Sequence, residues 1–137
     1  MRYPILLILC LALSSTLLAQ NALQKNVEWY SAKTIDKLNN SEIILDSKFI
    51  INKDRTIEWI QKQGQHVYQF TIISAQSSWT DMKQTGTIRY DVKCKDIYGV
   101  ITVGRQDKDL FIELEFLENG VNIAPFRFII ERTEVVL

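Results

Sequence analysis

Few side chains in this sequence have the chemistry of catalysis or metal binding, and those few lie far apart. Beyond residue 20 the chain has a single histidine, His66, and a single cysteine, Cys94. A zinc site needs three or four converging Cys, His or carboxylate ligands, commonly at short spacings, and neither residue has such neighbours. The sequence therefore predicts no metal site. It favours an ordinary hydrogen-bonded role for His66, which begins an apolar strand face and is expected to point inward.

Nucleophilic and acid–base catalysis also lack a recognisable arrangement. A nucleophilic serine or cysteine needs a base beside it, yet no G-x-S-x-G segment occurs and Ser77-Ser78 lies in a polar stretch. We expect Cys94 to point inward, where a thiol reacts poorly. Glu113 and Glu115, the nearest carboxylate pair that sugar hydrolysis would need, are expected on the outer face of a strand. The sequence therefore predicts no catalytic residue, no cofactor and no enzymatic activity.

Aromatic side chains are the remaining residues that could contact a ligand or a partner. Trp59, Tyr68, Phe70 and Tyr90 fall on apolar strand faces and are predicted to fill the core. Trp79 differs, because its neighbours are Ser, Thr, Asp, Lys and Gln. Its ring could cap a cavity, stack on a sugar or contact a partner, or it could fold back onto the end of the domain. These five residues are the candidate contacts for a ligand or partner, and a ligand is expected to enter near Trp79.

The elements that position these residues are predicted to be β-strands. Residues 65–74 alternate between two faces, and a second segment does so more strictly, with Ile88, Tyr90, Val92 and Cys94 opposite Thr87, Arg89, Asp91 and Lys93. Such a period of two is typical of a strand. Turn-forming residues separate the segments, and no connection is long enough for parallel crossovers. The pattern predicts an all-β fold, a single antiparallel meander of about seven or eight strands.

The meander is expected to close into a barrel or half-barrel, with a β-sandwich as the alternative. The predicted interior consists of Phe49, Ile57, Trp59, Tyr68, Phe70, Ile88, Tyr90, Leu110, Ile112, Leu114, Phe126 and Phe128. About eight strands enclose only enough room for side chains or for one small ligand. A cavity is therefore compatible with this fold, but the fold does not require one.

Two segments remain ambiguous. Residues 23–39 are interpreted as containing a first strand over Val27–Lys33, but their apolar spacing also fits a helix that ends at Asn39-Asn40. Residues 75–84 form the longest polar gap and are predicted to be either an open loop or one helical turn.

The segment from Leu110 to Ile130 predicts a hairpin around Asn119-Gly120. A two-residue turn would place Arg127 among aliphatic side chains, and burying an unpaired charge is costly. We therefore expect a three-residue loop that pairs Leu117 with Val121 and turns Arg127 to the outer face. With a two-residue turn, Arg127 would face outward only if a bulge at Ala124-Pro125 shifted the inward and outward positions of the second strand by one residue.

The first nineteen residues are predicted to be a secretory signal peptide. Arg2 supplies the positive start, Ile5–Leu13 is apolar, and Ser14, Ser15 and Thr16 precede Leu17-Leu18-Ala19, after which we expect cleavage. Residues 20–137 then form one domain, exported to the periplasm or the extracellular space. Without Arg2 this domain has one more acidic than basic side chain, which gives no electrostatic reason to bind nucleic acid. We expect no lipid anchor and no membrane insertion after signal removal.

The order of signal peptide, early Trp29 and short up-and-down strands resembles the small lipocalin-like domains that bacteria export. The resemblance covers residues 20–137 as architecture, and it implies a barrel or half-barrel with an apolar interior that holds a small hydrophobic molecule in some members. Trp29 follows Asn26-Val27-Glu28, so the G-x-W signature of lipocalins is absent and no binding residue is carried over.

Three functions follow from these observations. The first is a non-enzymatic exported β-barrel that holds a small hydrophobic ligand. The second is an interaction or inhibitor-like module that uses exposed loops or an open strand edge. The third is a hydrolase, which would need His66 within hydrogen-bonding reach of a carboxylate or serine in a cleft.

Overall fold

A computed structural model describes residues 26–53, 55–118 and 121–136, and over these residues the chain forms nine β-strands. The strands are β1 (Asn26–Asp36), β2 (Ser41–Ile43), β3 (Ser47–Asn52), β4 (Thr56–Gln61), β5 (His66–Ser77), β6 (Gly86–Cys94), β7 (Ile97–Gln106), β8 (Asp109–Glu118) and β9 (Val121–Val136). A single 3-10 turn, Lys62–Gly64, joins β4 to β5. No helix in this part of the chain is long and apolar enough to cross a membrane. The predicted signal peptide, residues 1–19, lies outside the described residues.

Eight of the strands close into a barrel. Each pairs antiparallel with its neighbour in the order β1-β3-β4-β5-β6-β7-β8-β9, and β9 pairs again with β1. The extra strand β2 adds only three residues beside the end of β1. The predicted antiparallel meander is therefore confirmed, and of the two predicted closures the barrel is the one observed. Closure gives both β1 and β9 a partner on each side over much of their length, so neither is the edge strand that a sandwich would leave.

The first ambiguous segment is a strand over Asn26–Asp36, and residues 37–39 begin the turn that follows it. Val27 and Trp29 point into the barrel, but two register shifts against β9, around Ser31 and Ala32, change the phase. The next buried side chain is therefore Thr34, which a strict period of two would place outside. Of the described residues that fit a helical spacing, only Val27 and Thr34 are buried in the structure. Of the second segment, residues 75–77 complete β5, and residues 78–85 form a loop without helix.

The predicted interior is largely confirmed. Phe49, Ile57, Trp59, Phe70, Ile88, Tyr90, Ile112, Leu114 and Phe128 are buried, and Leu110 and Phe126 pack partly buried against them. Tyr68 was placed in the core by the alternation of β5, but 44% of it is exposed. Its position on the inward face is right; its exposure follows from an opening in the barrel wall at that point. Buried residues that the prediction left out include Val27, Trp29, Ile51, Val92, Ile101, Val103, Phe116 and Ile130.

The β8–β9 hairpin corrects one prediction and confirms its consequence. Glu118 pairs with Val121, so the predicted three-residue loop is wrong; the Asn119-Gly120 turn itself lies outside the described residues. Between the pair Leu114–Phe126 and the pair Phe116–Ile123, β9 has two intervening residues and β8 has one. That extra residue at Ala124-Pro125 is a β-bulge, and it restores the phase.

Arg127 consequently lies on the outer face, as expected. It pairs directly with Glu113, and its Nη1 donates to Glu113 Oε1 at 2.9 Å. Its guanidinium also covers the ring of Phe111 at 4.2 Å, so this outward-facing phenylalanine is only 5% exposed. The guanidinium of Arg127 therefore shields the Phe111 ring from water while it stays outside the core.

Candidate functional site

An apolar cavity opens at the end of the barrel where β4 and β6 end and β5 and β7 begin. Its volume is about 450 Å³, and it is lined by Leu45, Trp59, Gln61, Tyr68, Phe70, Cys94, Ile97, Phe116 and Phe126. Its polar side-chain groups include the amide of Gln61, the thiol of Cys94 and the hydroxyl of Tyr68. The cavity falls within the range of volumes that small-molecule sites occupy. Its lining suits an apolar molecule with at most one or two polar groups.

The cavity opens here because β5 is longer than the strand beside it. Residues 66–71 of β5 pair with β4, and residues 71–77 pair with β6, which ends at Cys94. The first part of β5 therefore extends past β6 and leaves a gap in the wall. Tyr68 and Ile97 flank this gap and are 44% and 41% exposed.

Stacked aromatic rings form the inner wall of the cavity. The rings of Phe70 and Phe116 stack with centroids 5.3 Å apart, and Trp59 lies 5.4 Å from Tyr68 and 6.4 Å from Phe126. These rings are held by packing, so an apolar ligand would meet a largely preformed surface.

Two buried polar groups hold the lining in place. Ser47 is buried, and its hydroxyl accepts a hydrogen bond from Trp59 Nε1 at 3.0 Å, which fixes the orientation of the indole. Thr34 is buried, and its hydroxyl donates to the carbonyl oxygen of Leu45 at 3.4 Å. Both side chains satisfy groups that would otherwise be costly to bury. They position the cavity wall without contacting its interior directly.

Trp79 lies at the opposite end of the barrel, away from this cavity. It is 3% exposed, and its Nε1 donates to the carbonyl oxygen of Gln84 at 2.9 Å. Gly86 packs directly against it, where a side chain would clash. Arg105 Nε donates to the carbonyl oxygen of Met82 at 2.7 Å and holds the same loop. Trp79 therefore folds back onto the end of the barrel, which is one of the alternatives predicted for it, and it does not line the cavity.

The five candidate contacts thus separate into two groups. Trp59, Tyr68 and Phe70 come together on the cavity. Tyr90 is fully buried in the core and does not line it. The sequence prediction missed Leu45, Gln61, Cys94, Ile97, Phe116 and Phe126 as lining residues. The apolar alternation of β6 and β8 placed Cys94 and Phe116 inside, but it gives no signal that this end of the barrel is open.

The residues considered for catalysis do not converge. His66 is exposed at the start of β5, on the same strand face as Tyr68 and Phe70, and its side chain makes no hydrogen bond to a described carboxylate or serine. Cys94 does face the interior, on the cavity wall. Glu113 and Glu115 lie on the outer face, where Lys37 Nζ is 3.1 and 3.2 Å from their oxygens. Within the described ranges, no group of three His, Cys, Asp or Glu side chains is placed to hold a metal ion.

A second concavity, on the outer wall around Tyr30, is less suited to a ligand. Its volume is about 420 Å³, but several polar and charged groups around Tyr30 already bind one another. The Tyr30 hydroxyl donates to Glu28 Oε2 at 2.6 Å. This hydrogen bond is the main reason why the pKa of Tyr30 lies above its ordinary value. Arg132 covers the Tyr30 ring and pairs with Glu134. A ligand here would have to displace these contacts.

Comparison with protein-family models, with curated proteins and with solved structures finds no match to this chain. The assignment of a function therefore depends on the geometry of the cavity.

Proposed function

We propose that the protein is an exported, non-enzymatic, lipocalin-like barrel that binds a small hydrophobic molecule in the cavity at its open end. The observation that carries the proposal is an apolar, aromatic-lined cavity of about 450 Å³ that reaches solvent through the gap beside Tyr68. Apolar surface left open to water in this way gains free energy when a matching ligand covers it.

The residues around the cavity support an apolar occupant over a charged one. No Lys, Arg, Asp or Glu lines it, so a charged ligand would lose hydration without gaining a partner. Gln61 offers one amide that can orient a carbonyl or hydroxyl group of the ligand. The expected ligand class is therefore a neutral aromatic or aliphatic molecule with few polar groups.

The direct test is binding of N-phenyl-1-naphthylamine, a neutral apolar probe whose fluorescence rises when it leaves water. Ile97→Glu places a carboxylate at the mouth of the cavity, at a position exposed enough to tolerate the charge. We expect the dissociation constant to rise at least ~10-fold, which corresponds to about 1.4 kcal/mol. Tyr98→Glu is the matched control, because Tyr98 is the next residue, is 54% exposed and does not line the cavity.

Two results would contradict the proposal: no binding of the probe by the unaltered protein, or equal affinity for both glutamate variants. Native mass spectrometry of protein purified from its original host would add the identity of a retained ligand. Retention of a neutral molecule by the unaltered protein, and its loss from Ile97→Glu, is the expected outcome.

A further inference from the structure

Aromatic rings are concentrated on the wall of the cavity. Aromatic residues make up 10% of the chain, yet five of the nine described residues that line the cavity are aromatic. These five are Trp59, Tyr68, Phe70, Phe116 and Phe126. A ligand that enters the cavity therefore meets ring surface more than aliphatic surface.

Protein rings already cover part of this wall and hold it in place. The planes of Phe70 and Phe116 lie within 19° of each other, and the indole of Trp59 lies within 7° of the plane of Phe49, with centroids 6.0 Å apart. Each of these stacked rings has one face covered by a neighbour, so it offers its edge or its other face to the cavity. Both geometries attract a second aromatic ring, because ring edges are electropositive and ring faces electronegative. A saturated ligand would gain apolar contact but not this attraction.

The rings also close the cavity towards the middle of the barrel. Trp59, Phe70 and Phe116 are 6%, 3% and 8% exposed, and Ile57 and Leu114, which lie two residues deeper on the strands of Trp59 and Phe116, are fully buried. A long flexible chain therefore has no path along the barrel axis, and it would also lose rotational freedom on binding. The closed floor favours a compact and rigid ligand.

We propose that the cavity selects a compact, flat aromatic molecule with one polar substituent over a saturated molecule of the same skeleton. This inference rests on the proposed function, because it requires that the cavity binds a ligand. Tyr68 and Phe126 are the rings that set the preference, since Tyr68 is 44% exposed and Phe126 is only partly buried. The polar substituent lies at the mouth, where the Gln61 amide and the Tyr68 hydroxyl can donate to it or accept from it.

Two fused-ring alcohols test the preference by competition with N-phenyl-1-naphthylamine. 2-Naphthol and decahydro-2-naphthol share a carbon skeleton and a hydroxyl group, but only the first is aromatic and flat. Tyr68→Leu and Phe126→Leu each remove a ring from the wall and leave an apolar side chain in its place. Each should reduce the preference for 2-naphthol, expressed as the ratio of the two dissociation constants, by ~3-fold or more. Comparing this ratio between variants cancels the different free energies with which the two alcohols leave water, as in a double-mutant cycle.

Tyr98→Leu is the matched control, because it also replaces an exposed tyrosine by leucine but lies outside the cavity. It should leave the ratio unchanged. An unchanged ratio in both cavity variants would overturn the inference, and so would an equal change in Tyr98→Leu. In either case binding of the probe by the unaltered protein would still support the proposed function, whereas no binding of the probe would overturn both.

1-Decanol tests the closed floor of the cavity. After subtraction of each alcohol's free energy of transfer from water to octanol, 1-decanol should bind more weakly than 2-naphthol. The reverse order would show that the cavity accepts an extended chain, and it would overturn the inference while leaving the proposed function intact.

Discussion

Gly99 on β7 leaves no room for a side chain, because the ring of Phe116 and the carbonyl oxygen of Glu115 occupy that space. A Cβ at this position would lie 2.7 Å from the Glu115 oxygen and closer still to the Phe116 ring. Gly99→Ala must therefore displace Phe116, which lines the cavity, or shift the backbone of β8. We expect it to lower the free energy of unfolding by about 1–3 kcal/mol, measured by urea denaturation, and to weaken N-phenyl-1-naphthylamine binding.

The double variant Gly99→Ala/Phe116→Leu provides the control. Replacing the ring by a smaller side chain removes one of the two clashes, so the combined loss of stability should be smaller than the sum of the single losses. Strict additivity would show that the ring of Phe116 is not what limits the space at Gly99.

Individual residues also show how far the sequence could predict the site. The aromatic character of Trp59 and Phe70 and their place on inward faces follow from the alternation of their strands, and both are found in the cavity wall. For Trp79, whose neighbours in sequence are polar, the sequence left open whether the ring contacts a ligand or folds back onto the end of the domain. Its burial depends on the space that Gly86 leaves across the loop, a contact that no local pattern encodes.

The turn after β1 is held to two other strands by Lys37. Its backbone N–H donates to the carbonyl oxygen of Pro125 on β9 at 2.9 Å, and its Nζ reaches across to Glu113 and Glu115 on β8. Burial would lower the pKa of Lys37, but the hydrogen bonds and charges of the two glutamates outweigh that effect and raise it above 10.5. The ammonium form is therefore more stable in the folded protein than in the unfolded chain.

This raised pKa sets the direction of a pH dependence. The contribution of Lys37 to stability is fully present below its unfolded pKa, near 10.5, and is lost as the pH rises through the higher folded value. We expect Lys37→Met to be less stable than the unaltered protein by about 1 kcal/mol or less at pH ~8, since the pair is partly exposed. That difference should shrink above pH ~10.5.

Urea denaturation across this pH range measures the difference. Lys33→Met is the matched control, because Lys33 is 4.0 Å from Glu42 and both side chains are exposed; its small effect should not vary with pH in the same way. A constant difference between Lys37→Met and the unaltered protein would show that Lys37 acts only through packing.

The strands themselves were largely predictable, whereas the phase changes within them were not. Alternation in β6 and β8 placed their inward faces correctly. In β1 and β9, bulges change which residues face inward. Apart from Pro125, no residue in either strand marks the position of a bulge in the sequence. The need to keep Arg127 out of the core predicted its outer position, but two different hairpin registers satisfy that requirement.

The position of the cavity is a property of the whole barrel, and for that reason the sequence did not predict where it opens. It exists because β5 extends beyond β6, so one end of the barrel has a gap while Trp79 fills the other. Strand lengths that differ by a few residues decide where the gap lies, and strand boundaries are the least certain part of any prediction from a single sequence.

Closure of the barrel gives β1, the first strand of the meander, a stability that it would lack with a single partner strand. Residues 26–30 of β1 pair with β3 on one side and with β9 on the other, so Asn26 is joined to Val136. Val27 and Trp29 are 4% and 1% exposed. Terminal strands with one partner fray easily, but here the opening of β1 requires the barrel wall to break on both sides.

Native-state hydrogen exchange at micromolar concentration tests this consequence of closure. We expect the amides of Val27 and Trp29 to be protected nearly as well as those of Ile101 and Val103, which lie in the middle of β7. The residues of β2, Ser41–Ile43, should exchange orders of magnitude faster, because β2 has only three paired residues and they are exposed to partly exposed. If β1 exchanged as fast as β2, the β1–β9 contact would open independently of the rest, and the protein in solution would be an open sheet for part of the time.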